Sequence, residues 1–578
     1  MASKAANSSS LDLESNKGSS LENNTTMSPK AINDANFSGL LSNFLSVYWK
    51  SLIVVVWPII LLPLIILSDD KMFRCLYTVA LMAMFWVTEV IPLPITGIIP
   101  IFLYPLMGVM DTAQTCNCYM NDTTMMFVGS LVIAVAIEHS GLHMRVALLI
   151  IKTIGCSHRN LSLGLFFVTM FISMWISNTA ATAMMLPIVE KVLTELEAQG
   201  LGVMFVQEKE SEGESESPKR PTKLTMSYYL AAAYASSLGG IGTLVGSGTN
   251  LTMKGIYEAR FTKSPGINFA AWMVYAVPAM LIMGTLIWLW LQVMYMGMFR
   301  PNSEDAKAVN IGPEGEKIAT TVIESKYKEL GPITWHESSV GFLFVSIVLL
   351  WFFRKPDFIR GWPTYITNLT VKDSTSAAGL IILLFILPAR LDFLHSFSRD
   401  PSKRPTKPSP SLISWKIINQ KMHWSLIFVL GGGFAIAAGS QSSGLSSMLG
   451  HALIGLKTMN PFWILFVVTL FAETATELTS NVAVANIILP VLAEMSVAIQ
   501  IHPLYLMVPA ALGCSFSFHL PVGTPPNAIV SAAGKIKTKD FIIAGIGPSI
   551  ITAIVATASF ATWGVYSFGL QEFPAWAV

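Results

Sequence analysis

Two serine–asparagine pairs lie at the centre of long apolar stretches of this chain. Ser177-Asn178-Thr179 interrupts FISMWISNTAATAMMLPIV, and Ser480-Asn481-Val482 interrupts FAETATELTSNVAVANIILPV. Amide and hydroxyl groups that are buried in hydrocarbon without partners cost several kcal/mol. We therefore expect each pair to line a polar site at a broken helix, where free backbone amides and Asn, Ser and Thr side chains bind a small anion.

Two further stretches have the composition of interrupted helices, GGIGTLVGSGTN (239–250) and HLPVGTPPN (519–527). Neither glycine clusters nor Pro-Pro sustain a helix interior. Four broken elements would then converge on one site, with carbonyls available for a co-bound Na⁺. Lys and Arg are absent from the segments that carry these motifs, which are 161–189, 224–253, 461–499 and 503–534.

Other titratable residues near these motifs have structural interpretations. Glu89 is either a proton relay or, as we favour, a scaffold hydrogen-bonding residue. Glu473 and Glu477 are expected to support the second tip rather than contact substrate. His519 is either a structural hydrogen-bonding residue or a pH-sensitive substrate contact. No zinc-ligand spacing accompanies them, which argues against an intramembrane enzyme and predicts no cofactor beyond Na⁺ or H⁺ as a coupling ion.

The elements that position these motifs are apolar helices. The chain has 578 residues, of which 53% are hydrophobic and only 12% charged, against roughly 25% charged in soluble domains. This composition predicts an all-α polytopic membrane protein whose surroundings are the lipid bilayer, with no nucleic-acid partner. The five cysteines are interpreted as packing residues. Apolar runs of spanning length occur at 52–67, 273–291, 340–353 and 542–563.

The chain also contains an internal repeat. At an offset of 303 residues, Ser140-Gly141-Leu142 matches Ser443-Gly444-Leu445, and Ser177-Asn178 matches Ser480-Asn481. VGSGTN (245–250) resembles VGTPPN (522–527) at an offset of 277, because the first half holds a charged insert around 208–223. Two related halves are predicted.

The lengths of 161–189 and 461–499 suit re-entrant hairpins better than one or two crossings. Five crossings then separate 125–142 from its equivalent 425–442, and an odd number makes the second half inverted. Basic residues at 143–160, 390–421 and 535–539 place that side in the cytoplasm, although the loop 354–373 is also basic. The prediction is an inverted-repeat transporter with about 11 transmembrane helices plus two re-entrant hairpins, a cytoplasmic N-terminus and an extracellular C-terminus.

Six parts are expected along the chain. They are a disordered cytoplasmic tail (1–45), the scaffold helices of the first half (46–160), the first half of the transport domain (161–295), a cytoplasmic loop (296–336), the scaffold helices of the second half (337–460) and the second half of the transport domain (461–578).

SNTAATAMMLPI, TSNVAVANIILPVLAEMS and LPVGTPPNAIV resemble the hairpin and loop motifs of the divalent anion:sodium symporter family. GIYEARF, SSLGGIGT, IHPLYL and AGIGP resemble its insect branch of citrate and dicarboxylate transporters more narrowly. The resemblance covers about 45–577 and implies a homodimer that works by an elevator motion in the plasma membrane. It implies a substrate site at Ser177, Asn178, Thr179, Gly242, Thr243, Ser480, Asn481, Val482, Gly523 and Thr524. It implies cation sites, in coupled members, at Ser177, Asn178, Gly242, Gly246, Asn250, Ser480, Asn481, Val522, Thr524 and Asn527.

Two departures from the family pattern bear on function. Val482 stands where many dicarboxylate transporters have Thr and citrate transporters have Val, and Thr249 stands where sodium-coupled relatives commonly have Pro. Members of the insect branch are regarded as sodium-independent exchangers. The resemblance thus implies exchange of citrate and C4-dicarboxylates (succinate, malate and fumarate), with Na⁺-coupled symport as the alternative and sulfate transport as a less favoured one. A channel suits inverted hairpins less well.

The topology predicts which N-x-[ST] sequons are glycosylated. Asn121 and Asn368 lie in loops predicted to be outside, and Asn160 lies in one predicted to be inside. We expect glycosidase-sensitive mass shifts that Asn121→Gln or Asn368→Gln removes and Asn160→Gln leaves unchanged, measured on gels after expression in animal cells. Glycosylation at Asn160 would contradict the hairpin interpretation.

Overall fold

A computed structural model describes residues 37–155, 157–200, 203–207, 219–356 and 359–577. The chain separates into two compact units, Met1–Trp57 and Pro58–Val578. The described residues of the first unit belong to helix α1, which runs Phe37–Leu61. The expected tail 1–45 is therefore wrong for residues 37–45, and residues 1–36 lie outside the described part of the chain.

The first half of the second unit is helical apart from one short ladder. Strand β1 (Phe205–Gln207) pairs antiparallel with β2 (Lys219–Pro221) beside the predicted insert, whose residues 208–218 lie outside the described chain. The helices are α2 (Pro63–Ile66), α3 (Lys71–Thr88), α4 (Leu93–Leu106), α5 (Thr112–Asn117), α6 (Asp122–Ser140), α7 (Leu142–Ile154), α8 (His158–Ser173), α9 (Asn178–Ala198), α10 (Lys223–Gly239), α11 (Gly248–Arg260) and α12 (Phe269–Tyr295).

The second half repeats this order after two connecting helices. The connection is α13 (Glu304–Val309) and α14 (Gly312–Glu329). The expectation that 296–336 is a loop is therefore wrong where these two helices lie. The repeat comprises α15 (Trp335–Phe352), α16 (Asp373–Ile386), α17 (Trp415–Lys421), α18 (Ser425–Ser443), α19 (Leu445–Leu453), α20 (Pro461–Thr476), α21 (Asn481–Ala498), α22 (Pro503–Gly513), α23 (Pro525–Gly534), α24 (Thr538–Ser559) and α25 (Val565–Phe568).

The internal repeat is confirmed in the helix boundaries and is longer than the sequence motifs. Helices α6 and α18 have 19 residues each and are offset by 303, as are α8 and α20 with 16 each. Helices α3 and α15 have 18 residues each, and α4 and α16 have 14 each. Gly141 and Gly444 end equivalent helices with φ of 77° and 82°, a backbone conformation that favours glycine. The duplication thus extends back to α3.

The core lies around the broken helices α10 and α22. Every residue of α10 from Leu224 to Gly239 is buried, and every residue of α22 except Tyr505 is buried as well. Helix α10 packs against α8, α9, α12 and α23, while α22 packs against α20 and α21. Each Ser-Asn segment is therefore held against a helix that is almost entirely buried.

A buried ion pair joins α7 to α15. Arg145 Nε lies 3.0 Å from Glu337 Oε1, and its terminal nitrogens also donate to the carbonyl oxygens of Leu330, Gly331 and Pro332. Both charged side chains are 6% exposed. Burial of a charge is tolerated when it is paired and its remaining protons are hydrogen-bonded, so this pair fixes where α15 enters the fold.

Seven helices of the described chain are long and apolar enough to cross a membrane, and four shorter apolar helices accompany them. The seven lie at Leu41–Ile66, Thr112–Ser140, Phe269–Tyr295, Trp335–Phe352, Ser425–Ser443, Asn481–Ala498 and Thr538–Phe568. The chain is a multi-pass membrane protein. The predicted count of 11 crossings and the two re-entrant hairpins remain predictions.

Candidate functional site

The first Ser-Asn pair begins a helix. Helix α8 ends at Ser173 and α9 begins at Asn178, with Ser177 as the N-cap whose Oγ accepts from Ala180 N at 3.3 Å. Ser173 Oγ lies 2.8 Å from the Asn178 side-chain oxygen and 2.7 Å from the Ser236 carbonyl oxygen. A hydroxyl carries one proton and donates to these oxygens in turn. One hydroxyl thus joins the first tip to α10.

The second pair repeats this arrangement. Helix α20 ends at Thr476 and α21 begins at Asn481, with Ser480 as the N-cap. Thr476 Oγ1 lies 2.7 Å from the Asn481 side-chain oxygen and 2.8 Å from the Cys514 carbonyl oxygen. The helix breaks predicted at the two Ser-Asn pairs are both confirmed. Each leaves an N-terminus whose first backbone amides have no partner within their own helix.

The predicted unwound loops are confirmed at 240–247 and 519–524, whereas 248–250 and 525–527 already belong to α11 and α23. One asparagine ties each loop together. Asn250 Nδ2 donates to the carbonyl oxygens of Gly240 at 3.0 Å and Thr243 at 2.8 Å. At the equivalent position, Asn527 Nδ2 donates to the carbonyl oxygens ten and seven residues earlier, at 3.0 and 3.1 Å. Both asparagines are fully buried. Their amides satisfy carbonyls that the helix breaks would otherwise leave unpaired.

Oxygen atoms surround Gly246 in the first loop. A Cβ at this position would lie 2.6 Å from the Gly240 carbonyl oxygen and 2.9 Å from that of Met174. Thr243 Oγ1 donates to the same Met174 oxygen at 2.6 Å. A side chain at this position would clash with these oxygens, so the close packing of the first loop requires glycine at residue 246.

The glycine at the equivalent position of the second loop faces polar side chains. The glycine there is Gly523, which faces Ser517 Oγ and the Glu477 carboxylate. Glu477 accepts hydrogen bonds from the backbone nitrogens of Phe518, His519 and Leu520 at 2.6, 3.0 and 3.1 Å, and from Ser517 Oγ at 2.9 Å. A carboxylate therefore holds the second loop closed, where the first half has Met174. Glu477 thus supports the second loop.

Beside the two loops, hydroxyl groups and one valine make contacts between the two halves. Thr249 Oγ1 lies 2.6 Å from Ser515 Oγ, and Ser247 Oγ lies 2.9 Å from Thr249 Oγ1. Val482 at the second tip packs closely against Gly248. A Cβ atom added to Gly248 would lie only 2.9 Å from a methyl group of Val482. The departures at Thr249 and Val482 both fall on this contact between the halves.

A cavity of about 210 Å³ lies at the first tip. Its lining includes Ser177 and Thr179 together with Glu138, Lys421 and His423. Lys421 Nζ lies 2.6 Å from Glu138 Oε1. Lys421 comes from α17, so a cationic side chain lines this cavity although the segments that carry the motifs contain none.

The remaining predicted residues have varied surroundings. Gly242 packs against Met174 and Met280. Thr524 is the buried N-cap of α23, whereas Val522 is 83% exposed. His519 Nδ1 lies 3.1 Å from Glu477 Oε1 and 3.3 Å from Ser549 Oγ, which supports the structural interpretation of His519.

Sequence comparison identifies the family. Residues 45–570 match the model of the sodium:sulfate symporter transmembrane region. The chain belongs to this family. This symporter-family protein is 48% identical to "Protein I'm not dead yet" of Drosophila melanogaster, with 93% of this chain and 92% of that protein covered. It is 40% identical to the Na(+)/citrate cotransporter of Rattus norvegicus, with 92% and 97% covered.

Solved transporter structures share the fold at low sequence identity. The Alcanivorax borkumensis YdaH transporter is 14% identical with a TM-score of 0.51, covering 81% of this chain and 89% of that one.

A further relative was found by sequence. Human solute carrier family 13 member 2 is 38% identical in sequence, with 92% of this chain and 95% of that protein covered. This symporter-family protein is a transporter and not an enzyme.

Glu477 and Glu473 provide a matched test of the second loop. In the described chain neither carboxyl oxygen of Glu473 has a hydrogen-bond partner, whereas both oxygens of Glu477 accept. Glu477→Gln places an NH₂ group against backbone N–H donors, so at least one of these donors loses its acceptor. An unsatisfied buried donor lowers the free energy of unfolding by about 1–3 kcal/mol. We expect Glu477→Gln to lower the melting temperature in detergent by several degrees.

Glu473→Gln is the control, because it removes no hydrogen bond and replaces an ionisable group in apolar surroundings. Its melting temperature should equal or exceed that of the wild type. Equal destabilisation by the two substitutions would contradict the assigned role of Glu477.

Proposed function

We propose that this chain carries citrate and the C4-dicarboxylates succinate, malate and fumarate across the plasma membrane. The observation that carries the proposal is the pair of equivalent helix N-termini at Ser177-Asn178 and Ser480-Asn481. Each offers backbone amides and a serine hydroxyl to one carboxylate. The name of the Na(+)/citrate cotransporter of Rattus norvegicus, which is 40% identical over nearly the whole chain, supports citrate as the substrate.

The proposed mechanism is an elevator motion in a homodimer. The two halves of the transport domain (161–295 and 461–578) would move as one body, because Thr249 bonds to Ser515 across them. The scaffold would comprise 46–160 and 337–460, in two halves of inverted orientation. The N-terminus would be cytoplasmic and the C-terminus extracellular.

We favour anion exchange over Na⁺-coupled symport. The second loop is held by Glu477 through three backbone amides, so its conformation has an internal support that requires no ion. Exchange follows when the binding unit returns across the membrane only with an anion bound. The loop hydroxyls at Thr249 and Ser515 add a contact that proline could not make.

Na⁺-coupled symport is the alternative, and the first loop favours it. Oxygens of Met174, Gly240, Thr243 and Asn178 would hold Na⁺ beside the first tip, and the ion would supply positive charge next to a bound carboxylate. Sulfate is a less favoured substrate that rests on the family description alone.

The paired asparagines are the first test. Asn178→Ala and Asn481→Ala remove the side chains that Ser173 and Thr476 hold at the two tips. Each should reduce uptake of labelled citrate by about 100-fold or more, the loss expected for one precisely placed polar group in a buried site. Surface biotinylation should remain near normal, and the exposed amide of Asn419, changed to Ala, is the control. Wild-type uptake in either tip variant would exclude the proposed site.

The coupling mode is the second test. We expect citrate uptake to persist when choline replaces Na⁺ and to accelerate when citrate or succinate is preloaded on the opposite side, since exchange needs an anion for the return step. Labelled sulfate in the same cells should show little uptake. Strict dependence on Na⁺ without acceleration by preloading would establish the symport alternative.

A further inference from the structure

An ion pair opens onto the cavity at the first tip. Lys421 is the last residue of α17 and Glu138 lies in the last turn of α6. Their side chains are 41% and 35% exposed, with Lys421 Nζ 2.6 Å from Glu138 Oε1. Ion pairs that are this exposed contribute little to stability. The Lys421 ammonium can therefore exchange Glu138 for another carboxylate at small cost.

The pair exists in one half only. Helices α5 and α17 begin at the same offset of 303 that relates α6 to α18. At that offset Cys118 is the equivalent of Lys421, and Gln441 is the equivalent of Glu138. A thiol and an amide replace the ammonium and the carboxylate. The two tips share their asparagine networks, but this ion pair belongs to the cavity at the first tip alone.

We propose that Lys421 binds the third carboxylate of citrate and so determines the preference between tricarboxylate and dicarboxylate substrates. This inference rests on the proposed function, in which the two tips hold the two carboxylates that citrate and succinate have in common. Lys421 lines the same cavity as Ser177 and Thr179. Among the described residues that line this cavity, Lys421 is the only Lys or Arg. Glu138 holds the ammonium at the cavity until the third carboxylate replaces it.

The test compares transport kinetics of citrate and succinate at one fixed pH, normalised to protein at the cell surface. Lys421→Gln should raise KM for citrate about fivefold through loss of a partly solvated charge-assisted hydrogen bond. KM for succinate should change less than about twofold, because succinate has no third carboxylate. Lys421→Arg should retain most of the citrate affinity.

Two controls make the result specific. Lys416 is exposed on the same helix, so Lys416→Gln removes an equal charge away from the cavity and should leave both substrates unaffected. Glu138→Gln removes the competing carboxylate and should lower KM for citrate. In the double variant Glu138→Gln/Lys421→Gln, which buries no unpaired charge, the selective loss for citrate should persist.

An equal rise in KM for both substrates, or no change for either, would overturn the inference, because it would show no contact specific to the third carboxylate. If Lys421→Gln fails to reach the surface, the neutral double variant gives the same comparison. Failure of the wild type to transport either substrate would count against the proposed function instead.

Discussion

The fold depends on satisfying backbone polar groups at helix breaks within apolar surroundings. Each break leaves amides and carbonyls without partners inside the helix, and lipid offers none. The protein meets this requirement with short polar side chains placed at equivalent positions: Ser173 or Thr476 behind each tip, and Asn250 or Asn527 across each loop. Because these contacts run to the buried helices α10 and α22, the site cannot be rearranged without disturbing the core.

The sequence was informative where the two halves are alike. The offset of 303 identified both helix breaks, because a polar pair in an apolar segment is conspicuous and its repetition makes coincidence improbable. The repeat of α3 and α4 was missed, because its equivalents α15 and α16 lie at other offsets and share few residues. Helix α14 was missed because its charged residues dominate the composition, although Ala319 and Ile323 are buried on one face.

Features present in one half only could not be predicted from the repeat. Glu477 replaces Met174 at the equivalent position, so the comparison of halves gave no reason to expect a carboxylate bonded to the second loop. Lys421 belongs to a basic connection that was interpreted only as a marker of the cytoplasmic side. Its pairing with Glu138 joins residues 283 positions apart, and only the fold brings them together.

The contact between Thr249 and Ser515 has a consequence for how such a molecule evolves. Two separate copies of an ancestral half would have to make every interface contact twice, so each residue would need to suit both sides of a symmetric junction. Once the halves are joined in one polypeptide, a hydroxyl on one side and its partner on the other are encoded by different codons and change independently. Thr249 has Pro526 as its counterpart, and Ser515 has Leu238. Covalent linkage therefore allowed the residues at the contact between the halves to differ, while the order of helices around that contact stayed the same in both halves.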